Sequence, residues 1–174
     1  MIRAARVQDA HRLREVEIAA GAPFRDLGMD LVADAEPPGV SEFEGAARRE
    51  ACWVWTDDDR VVAFATGTLM RHGMHLDQVS VDPAYAGRRI GARLIAHVES
   101  VARDAGSTCL TLTTCRDVPW NAPYYARLGF VPIDPDQLDS ELVAIRRHEK
   151  ELGLDRWPRL AMTKSTGTAS TGVE

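Results

Sequence analysis

The chain has 174 residues, of which 45% are hydrophobic and 27% are charged, and its formal net charge is -5. This length and composition predict a single globular domain, which we expect over residues 1–163. The negative charge argues against nucleic acid as a partner and agrees with a cationic substrate. No apolar run is long enough to cross a bilayer, and residues 1–6 lack the apolar core of a signal peptide. We therefore expect a cytoplasmic protein with no membrane partner.

The first third of the chain predicts a strand, two helices and an irregular segment between the helices. Residues 2–6 form the strand, and Asp9 is expected to cap a helix that ends at Gly21. Residues 23–40 are expected to be irregular, with a firm break at their prolines. Residues 41–44 read Ser-Glu-Phe-Glu, which predicts a capping box at the start of the second helix.

A β-hairpin and a further strand follow these helices. Residues 51–56 and 60–70 are the two hairpin strands, joined by a turn of three aspartates, residues 57–59. Residues 75–81 form the next strand, so an antiparallel meander is expected. Because side chains alternate along a strand, Asp77, Val79 and Val81 share one face of it, and Gln78 and Ser80 share the other.

Residues 79–94 combine the end of that strand, a glycine-containing basic turn and the start of an amphipathic helix that ends at Gly106. The first N–H groups of such a helix have no intrahelical acceptor and lie at the positive end of the helix dipole. The pattern predicts a phosphate cradle, formed by Gly87, Arg88, Arg89, Ile90, Gly91 and Ala92. The alternative is an ordinary strand-turn-helix crossover with solvated arginines. The glycines match neither a nucleoside triphosphate loop nor a dinucleotide fingerprint.

A second motif follows the next strand, which covers residues 111–114. Asn121 is expected to cap a helix of about two turns, with Pro123 in its first turn and Gly129 after its end. Tyr125 lies in this helix, four residues before Gly-Phe.

The remaining chain predicts a helix over residues 137–152, a last strand over residues 159–163 and a disordered tail over residues 164–174. Of the three cysteines, Cys52 and Cys109 are expected to be buried and Cys115 to be accessible. The histidines show no metal-ligand spacing, so no metal site is expected.

Together the two motifs resemble those of the GNAT superfamily, the GCN5-related acyl-CoA N-acyltransferases. The resemblance is close over residues 60–133. It implies an α/β (α+β) fold with a central, mixed, mostly antiparallel twisted sheet of about seven strands, flanked by helices and splayed at the cofactor strand. It also implies acetyl-CoA as cosubstrate, and a homodimer as one form of assembly.

One departure from the family pattern falls in the predicted cradle. The family loop, (Gln/Arg)-x-x-Gly-x-(Gly/Ala), aligns with residues 86–91, so that Ala86 and Arg89 depart from it. Glycine at the Arg89 position normally lets the backbone approach the pyrophosphate. We expect binding to be retained, because Gly87 and Gly91 are present and arginine pairs with phosphate.

The resemblance also implies roles for side chains outside the cradle. Tyr125 would donate a proton to the departing thiolate, the alternative being a packing aromatic. Asp77 would act as general base, the alternative being a solvated carboxylate. Val79, Ser80 and Val81 would bind the pantetheine arm through their strand, the amide near Val81 being the oxyanion donor, and Asn121 would contact the same arm.

The acceptor is the least determined part of the prediction. The resemblance implies that the region after the first helix lines the acceptor pocket. The candidate residues for binding the acceptor are therefore Phe24, Arg25, Asp26 and Met29. Alternatively, Phe24 and Met29 fill the hydrophobic core. Acetyl transfer to the primary amine of a small molecule is the leading function. Acetylation of a protein lysine or N-terminus and a non-catalytic acyl-CoA-binding module are the alternatives, so the expected partner is a small-molecule amine or a peptide.

Overall fold

Seven strands form one mixed sheet in the computed structural model, which describes residues 1–167. The strands are β1 (Ile2–Ala4), β2 (Cys52–Asp57), β3 (Arg60–Leu69), β4 (Met74–Val81), β5 (Cys109–Cys115), β6 (Val131–Pro132) and β7 (Arg159–Ser165). The helices are α1 (Ala10–Gly21), α2 (Asp30–Ala33), α3 (Val40–Arg48), α4 (Ile90–Asp104), α5 (Ala122–Arg127) and α6 (Ser140–Glu151). The strand order is β1-β2-β3-β4-β5-β7-β6.

The pairing within the sheet is mostly antiparallel. β2 pairs antiparallel with β1 and β3, and β7 pairs antiparallel with β5 and β6. β4 and β5 are parallel where Met74 and His75 face Leu110 and Thr111. A mixed sheet of seven strands flanked by helices is the predicted fold class, which the structure confirms, although β6 was not predicted.

The chain divides into two compact units. The first contains residues Met1–Thr68 and Leu76–Val98, and the second contains Leu69–His75 and the chain from Glu99 onward. β4 and α4 therefore each contribute residues to both units. The expectation of one domain over residues 1–163 stays a prediction.

The core of the first unit forms where α1 and α3 pack with β2 and β3. Phe43 of α3 meets Phe64 of β3 edge to face, with ring centroids 5.4 Å apart. The cluster around them consists of Ala5, Ala10, Leu13, Val16, Cys52, Val54 and Val61. Arg12 of α1 adds a polar tie, since it donates to the carbonyl of Val61 at 2.9 Å and to Asp82 at 2.8 Å.

The predicted helix ends in this unit need two corrections. Asp9 precedes α1, but its carboxylate binds the N–H of Arg6 and the guanidinium of Arg3 and does not cap the helix. α1 ends at Gly21 as predicted, and a 3₁₀ helix (Ala22–Leu27) follows directly. α3 starts one residue earlier than its predicted cap, Ser41, and Glu42 accepts the N–H of Gly39 at 2.6 Å.

The second unit carries a buried charge network on β5, β7 and α6. Glu149 accepts hydrogen bonds from Thr113 and Arg159, each at 2.6 Å, and from Arg146. Burial alone would raise the pKa of Glu149, but the hydrogen bonds from Arg159 and Thr113 outweigh burial and hold the pKa below its ordinary value. The network therefore joins α6 to the two strands beneath it through an ionised carboxylate.

The C-terminal predictions also need correction. α6 starts at Ser140 and not at residue 137, because Asp139 caps it by accepting from Glu141 and Leu142 at 3.0 and 2.8 Å. β7 extends to Ser165, and Thr166 donates to the carbonyl of Ser107 at 2.6 Å. Residues 164–166 are thus ordered, contrary to the predicted tail, whose residues 168–174 lie outside the described part of the chain.

Two of the three cysteine predictions are wrong. Cys115 is 2% exposed, although we expected it to be accessible, and Cys109 is only partly buried. Cys52 is buried as predicted, and burial, followed by the nearby charge of Asp9, raises the pKa of its thiol to about 12. Among residues 1–167, no helix has the length and apolar character required to cross a membrane.

Gly73, in the turn before β4, provides a test of packing in the second unit. A Cβ at this position would lie 2.5 Å from the carbonyl oxygen of Cys109 and 2.6 Å from its Sγ. We expect Gly73→Ala to lower the free energy of unfolding by about 1–3 kcal/mol, because β5 must shift to accommodate the methyl group. Urea denaturation measures the change.

Gly21→Ala is the matched control for this substitution. Gly21 is helical, and the nearest atom to its added Cβ lies at 3.7 Å. Alanine there should leave stability unchanged or raise it by up to about 1 kcal/mol. Equal unfolding midpoints for Gly73→Ala and the wild type would contradict the expected clash.

Candidate active site

The predicted phosphate cradle lies in the first unit, between β4 and α4. After β4, Asp82 accepts the N–H of Ala84 at 3.1 Å and a short 3₁₀ helix (Pro83–Tyr85) follows. The carbonyl of Arg89 accepts the N–H of Arg93 at 3.1 Å, which is the first hydrogen bond of α4. The N–H groups of residues 90–92 therefore lie in the first turn, where a helix offers no acceptor. The fifteen-residue helix therefore begins where the sequence predicts it, and anion binding at its first turn stays a prediction.

The backbone of the loop has a left-handed conformation at two positions. Gly87 has φ of 77°, and Arg89 has φ of 58°. Arg89 thus takes the backbone shape that glycine favours, at a cost of about 1 kcal/mol for a residue with a Cβ. The departure of Arg89 from the family pattern changes the side chain and leaves a glycine-like backbone in place.

The arginines of the loop have different surroundings. The guanidinium of Arg88 lies 4.9 Å from the ring centre of Tyr85 and 3.9 Å from a carboxylate oxygen of Asp57. Arg93 lies over the ring of Trp55 at 5.4 Å, so its charge is held on β2. Arg88 and Arg89 are exposed. Ile90 and Gly91 are buried, and Ala92 is half-buried.

The two faces of β4 carry different polar groups, as the alternation predicts. Asp77 is exposed and accepts a hydrogen bond from the hydroxyl of Thr68 at 2.7 Å. Ser80 is 3% exposed and donates to Glu17 of α1, and the side-chain amide of Gln78 donates to the other oxygen of Glu17 at 2.6 Å. Val79 and Val81 are half-buried.

Sequence reasoning did not identify Glu17 as a functional residue. Burial raises the pKa of its carboxyl group above the ordinary value, and the hydrogen bond from Ser80 opposes that effect without cancelling it. Shifted carboxyl groups of this kind are frequent at functional sites. Within the sequence Glu17 is one acidic residue among several on a helix, and only its contacts with β4 distinguish it.

The second unit places Asn121 and Tyr125 on α5. Asn121 occupies the N-cap position, and its carbonyl accepts the N–H groups of Tyr124 and Tyr125, but its side chain does not cap the helix as predicted. The ring of Tyr125 packs edge to face on Phe130 with centroids 5.8 Å apart. Burial, with a smaller effect of Tyr124, raises the pKa of the Tyr125 hydroxyl. Tyr125 is therefore protonated at neutral pH, which is the state of a proton donor.

The acceptor candidates divide into exposed and buried side chains. Arg25 and Asp26 are exposed on the 3₁₀ helix after α1, and Phe24 is half-buried there. Arg25 forms ion pairs with Asp34 and, at 3.8 Å, with Asp30. Met29 is 2% exposed, which favours the core-filling alternative for this residue. The described residues contain no grouping of three or more histidine, cysteine or acidic side chains suited to a metal ion.

Comparison with known proteins gives relatives along most of the chain. Residues 14–130 match the model of the GNAT family of acetyltransferases. S-(2-succino)cysteine N-acetyltransferase of Bacillus subtilis is 28% identical over 133 residues, which are 71% of this chain and 79% of the relative.

Solved structures resemble the fold at low identity. The PaiA N-acetyltransferase of Thermoplasma acidophilum, in complex with coenzyme A, has a TM-score of 0.71 at 15% identity, covering 95% of this chain and 98% of its own. The ribosomal-protein-S18-alanine N-acetyltransferase of Escherichia coli has a TM-score of 0.66 at 17% identity, covering 100% and 98%. With the family match over residues 14–130, the chain belongs to the GNAT family of acetyltransferases and is an N-acetyltransferase that uses acetyl-CoA.

Proposed function

We propose that this enzyme transfers the acetyl group of acetyl-CoA to the primary amine of a small molecule, by direct attack within a ternary complex. The observation that carries the donor part is the loop before α4, where Arg89 keeps the left-handed backbone of a glycine. This conformation leaves the first N–H groups of α4 available to phosphate oxygens.

The loop and β4 supply the donor-binding groups. The N–H groups of Ile90, Gly91 and Ala92 bind the pyrophosphate together with the turn at Gly87, and the exposed side chains of Arg88 and Arg89 add positive charge. Along β4 the main chain of residues 79–81 pairs with the pantetheine arm. The N–H near Val81 stabilises the oxyanion that develops on the acetyl group. The side chain of Asn121 contributes a polar contact to the same arm.

Two proton transfers complete the proposed reaction. The amine must lose a proton to attack, and the thiolate of coenzyme A must gain one as it leaves. Tyr125 supplies the second proton, since its hydroxyl is protonated at neutral pH. Asp77 is the candidate base that the family resemblance provides. Its carboxylate is exposed on β4 and accepts a hydrogen bond from the hydroxyl of Thr68.

A small amine is the favoured acceptor class. The relative from Bacillus subtilis, which matches most of this chain, acts by its name on S-(2-succino)cysteine, a small molecule with one primary amine. That compound is the first acceptor to try. Acetylation of a protein N-terminus is the second candidate, because the structural relative from Escherichia coli acts by its name on the alanine of a ribosomal protein.

Calorimetric titration with acetyl-CoA tests the donor site. We expect micromolar binding by the wild type and a change of only a few-fold in Arg89→Gly, under about 1 kcal/mol, since glycine favours the backbone that Arg89 already has. Complete loss of binding in Arg89→Gly would instead show that the arginine side chain holds the phosphate.

Gly87→Ala is the matched variant for this titration. An added Cβ at Gly87 has nothing within 4 Å, so the substitution introduces backbone strain without a clash. It should weaken acetyl-CoA binding or stability by about 1 kcal/mol. A wild-type protein that binds no acetyl-CoA would overturn the proposed donor site.

Tyr125→Phe tests the proton donor. Removal of the hydroxyl should lower kcat by about 100-fold, because the thiolate then leaves without a proton, and should leave the Kd for acetyl-CoA within about twofold. Thiol release with an accepted amine measures kcat. Tyr124→Phe, on the neighbouring and half-buried tyrosine, is the control and should retain activity. Equal turnover of Tyr125→Phe and wild type across pH would remove Tyr125 from this role.

A further inference from the structure

Glu17 is a half-buried carboxylate whose hydrogen-bond partners are both neutral. Gln78 donates to one oxygen at 2.6 Å, Ser80 donates to the other, and the amide of Gln78 also lies 3.2 Å from the Ser80 hydroxyl. A carboxylate has about four acceptor positions, two on each oxygen. The two donors therefore fix the orientation of Glu17 and leave positions for a further donor.

Within the described part of the chain, Glu17 has no basic side chain as an ion-pair partner, whereas other acidic residues of the same unit do. In the same unit, Asp9 pairs with Arg3 at 2.7 Å and Asp82 pairs with Arg12 at 2.8 Å. Among residues 1–167, no arginine or lysine forms an ion pair with Glu17. A partly desolvated charge without a counter-ion is unfavourable, and a cationic ligand would remove that cost.

Glu17 contacts the strand proposed to bind the acyl arm and lies on the helix that leads to the proposed acceptor region, both in the first unit. Gln78 and Ser80 flank Val79, whose main chain belongs to the strand proposed to hold the acyl arm. Because a strand rises about 3.3 Å per residue, the contacts of Glu17 span only about 7 Å along β4. Glu17 also lies on α1, which continues directly into the 3₁₀ helix that carries Phe24, Arg25 and Asp26.

We propose that Glu17 binds the protonated amino group of the acceptor and takes the proton that this group must lose before attack. The inference rests on the proposed acetyl transfer and deepens it by assigning the base. One proton passes from the ammonium nitrogen to a carboxylate oxygen of Glu17, and the neutral amine then attacks the acetyl carbon. As the carbon–sulfur bond breaks and the amide forms, the nitrogen loses its second proton to water. The thiolate takes its proton from Tyr125, and solvent restores both residues.

The surroundings of Glu17 suit this role better than those of Asp77. Asp77 is exposed to water and points to the opposite face of β4, where its carboxylate accepts from Thr68. Burial raises the pKa of Glu17, which brings its basicity nearer to that required at neutral pH. A desolvated carboxylate also attracts an ammonium group more strongly than a solvated one does.

Three isosteric variants separate the candidate bases. Glu17→Gln removes the charge and keeps an oxygen that accepts from Gln78 or Ser80. Asp77→Asn removes the alternative base. Glu15→Gln removes an exposed charge on the same helix, one that pairs with Arg12 at 2.9 Å, and is the control. Each is assayed by thiol release with acetyl-CoA and, as acceptors, S-(2-succino)cysteine, putrescine and an alanine-initiated peptide, together with acetyl-CoA calorimetry and thermal unfolding.

We expect Glu17→Gln to lower kcat/KM for the accepted amine by about 100-fold or more, with acetyl-CoA affinity and unfolding temperature retained. The control Glu15→Gln should remain within about threefold of wild type. Wild-type-like turnover of Glu17→Gln, or a loss confined to Asp77→Asn, would overturn the role of Glu17 and leave acetyl transfer standing. A wild type that binds acetyl-CoA but acetylates none of the acceptors would overturn the proposed transfer and the role of Glu17 together.

Discussion

The left-handed backbone at Gly87 and Arg89 is the constraint on which the candidate donor site depends. It turns the chain after β4 so that α4 starts at Ile90, and the first N–H groups of the helix have no acceptor within it. The helix is then held by its apolar face, where Ile90, Leu94, Ile95 and Val98 are buried. A loop without these two positive φ values would start the helix elsewhere, and its amides would no longer converge.

The first unit accommodates a non-glycine residue, Arg89, in a left-handed backbone conformation because packing elsewhere offsets the local strain. The strain of one left-handed residue is about 1 kcal/mol, whereas burial of a single large apolar side chain contributes about 1.5–3 kcal/mol. The buried residues of α4 therefore outweigh the unfavourable φ of Arg89. Arg89 thus departs from the family pattern in residue type and still has a φ that glycine favours.

Elements with a strong local pattern could be predicted from the sequence. The meander, β4 and α4 were predicted nearly to the residue, since their apolar periodicity and bounding turns are local signals. Helix ends were predicted less well, because a capping side chain has competing partners. Asp9 binds Arg3 of β1 in preference to its own helix. β6 has two residues, which is too short for any periodic signal.

The same distinction applies to the candidate site. The loop and Tyr125 could be found because their residues lie within short motifs. Glu17 could not, since its partners Gln78 and Ser80 are 61 and 63 residues away. Met29 was a candidate for the acceptor region through the family resemblance, with core filling as the alternative, and its burial favours the alternative.

The two glutamates that stand out in the structure respond to acid in opposite directions. Glu149 has a pKa below its ordinary value of 4.5, so its stabilising effect is complete above that value and is lost as the pH falls through the lowered pKa. Glu17 has a pKa above 4.5, so its ionisation costs stability as the pH rises through that raised pKa, and protonation removes the cost. Mild acidification should thus remove the cost of ionised Glu17 in the first unit before stronger acid breaks the network that joins α6 to β5 and β7.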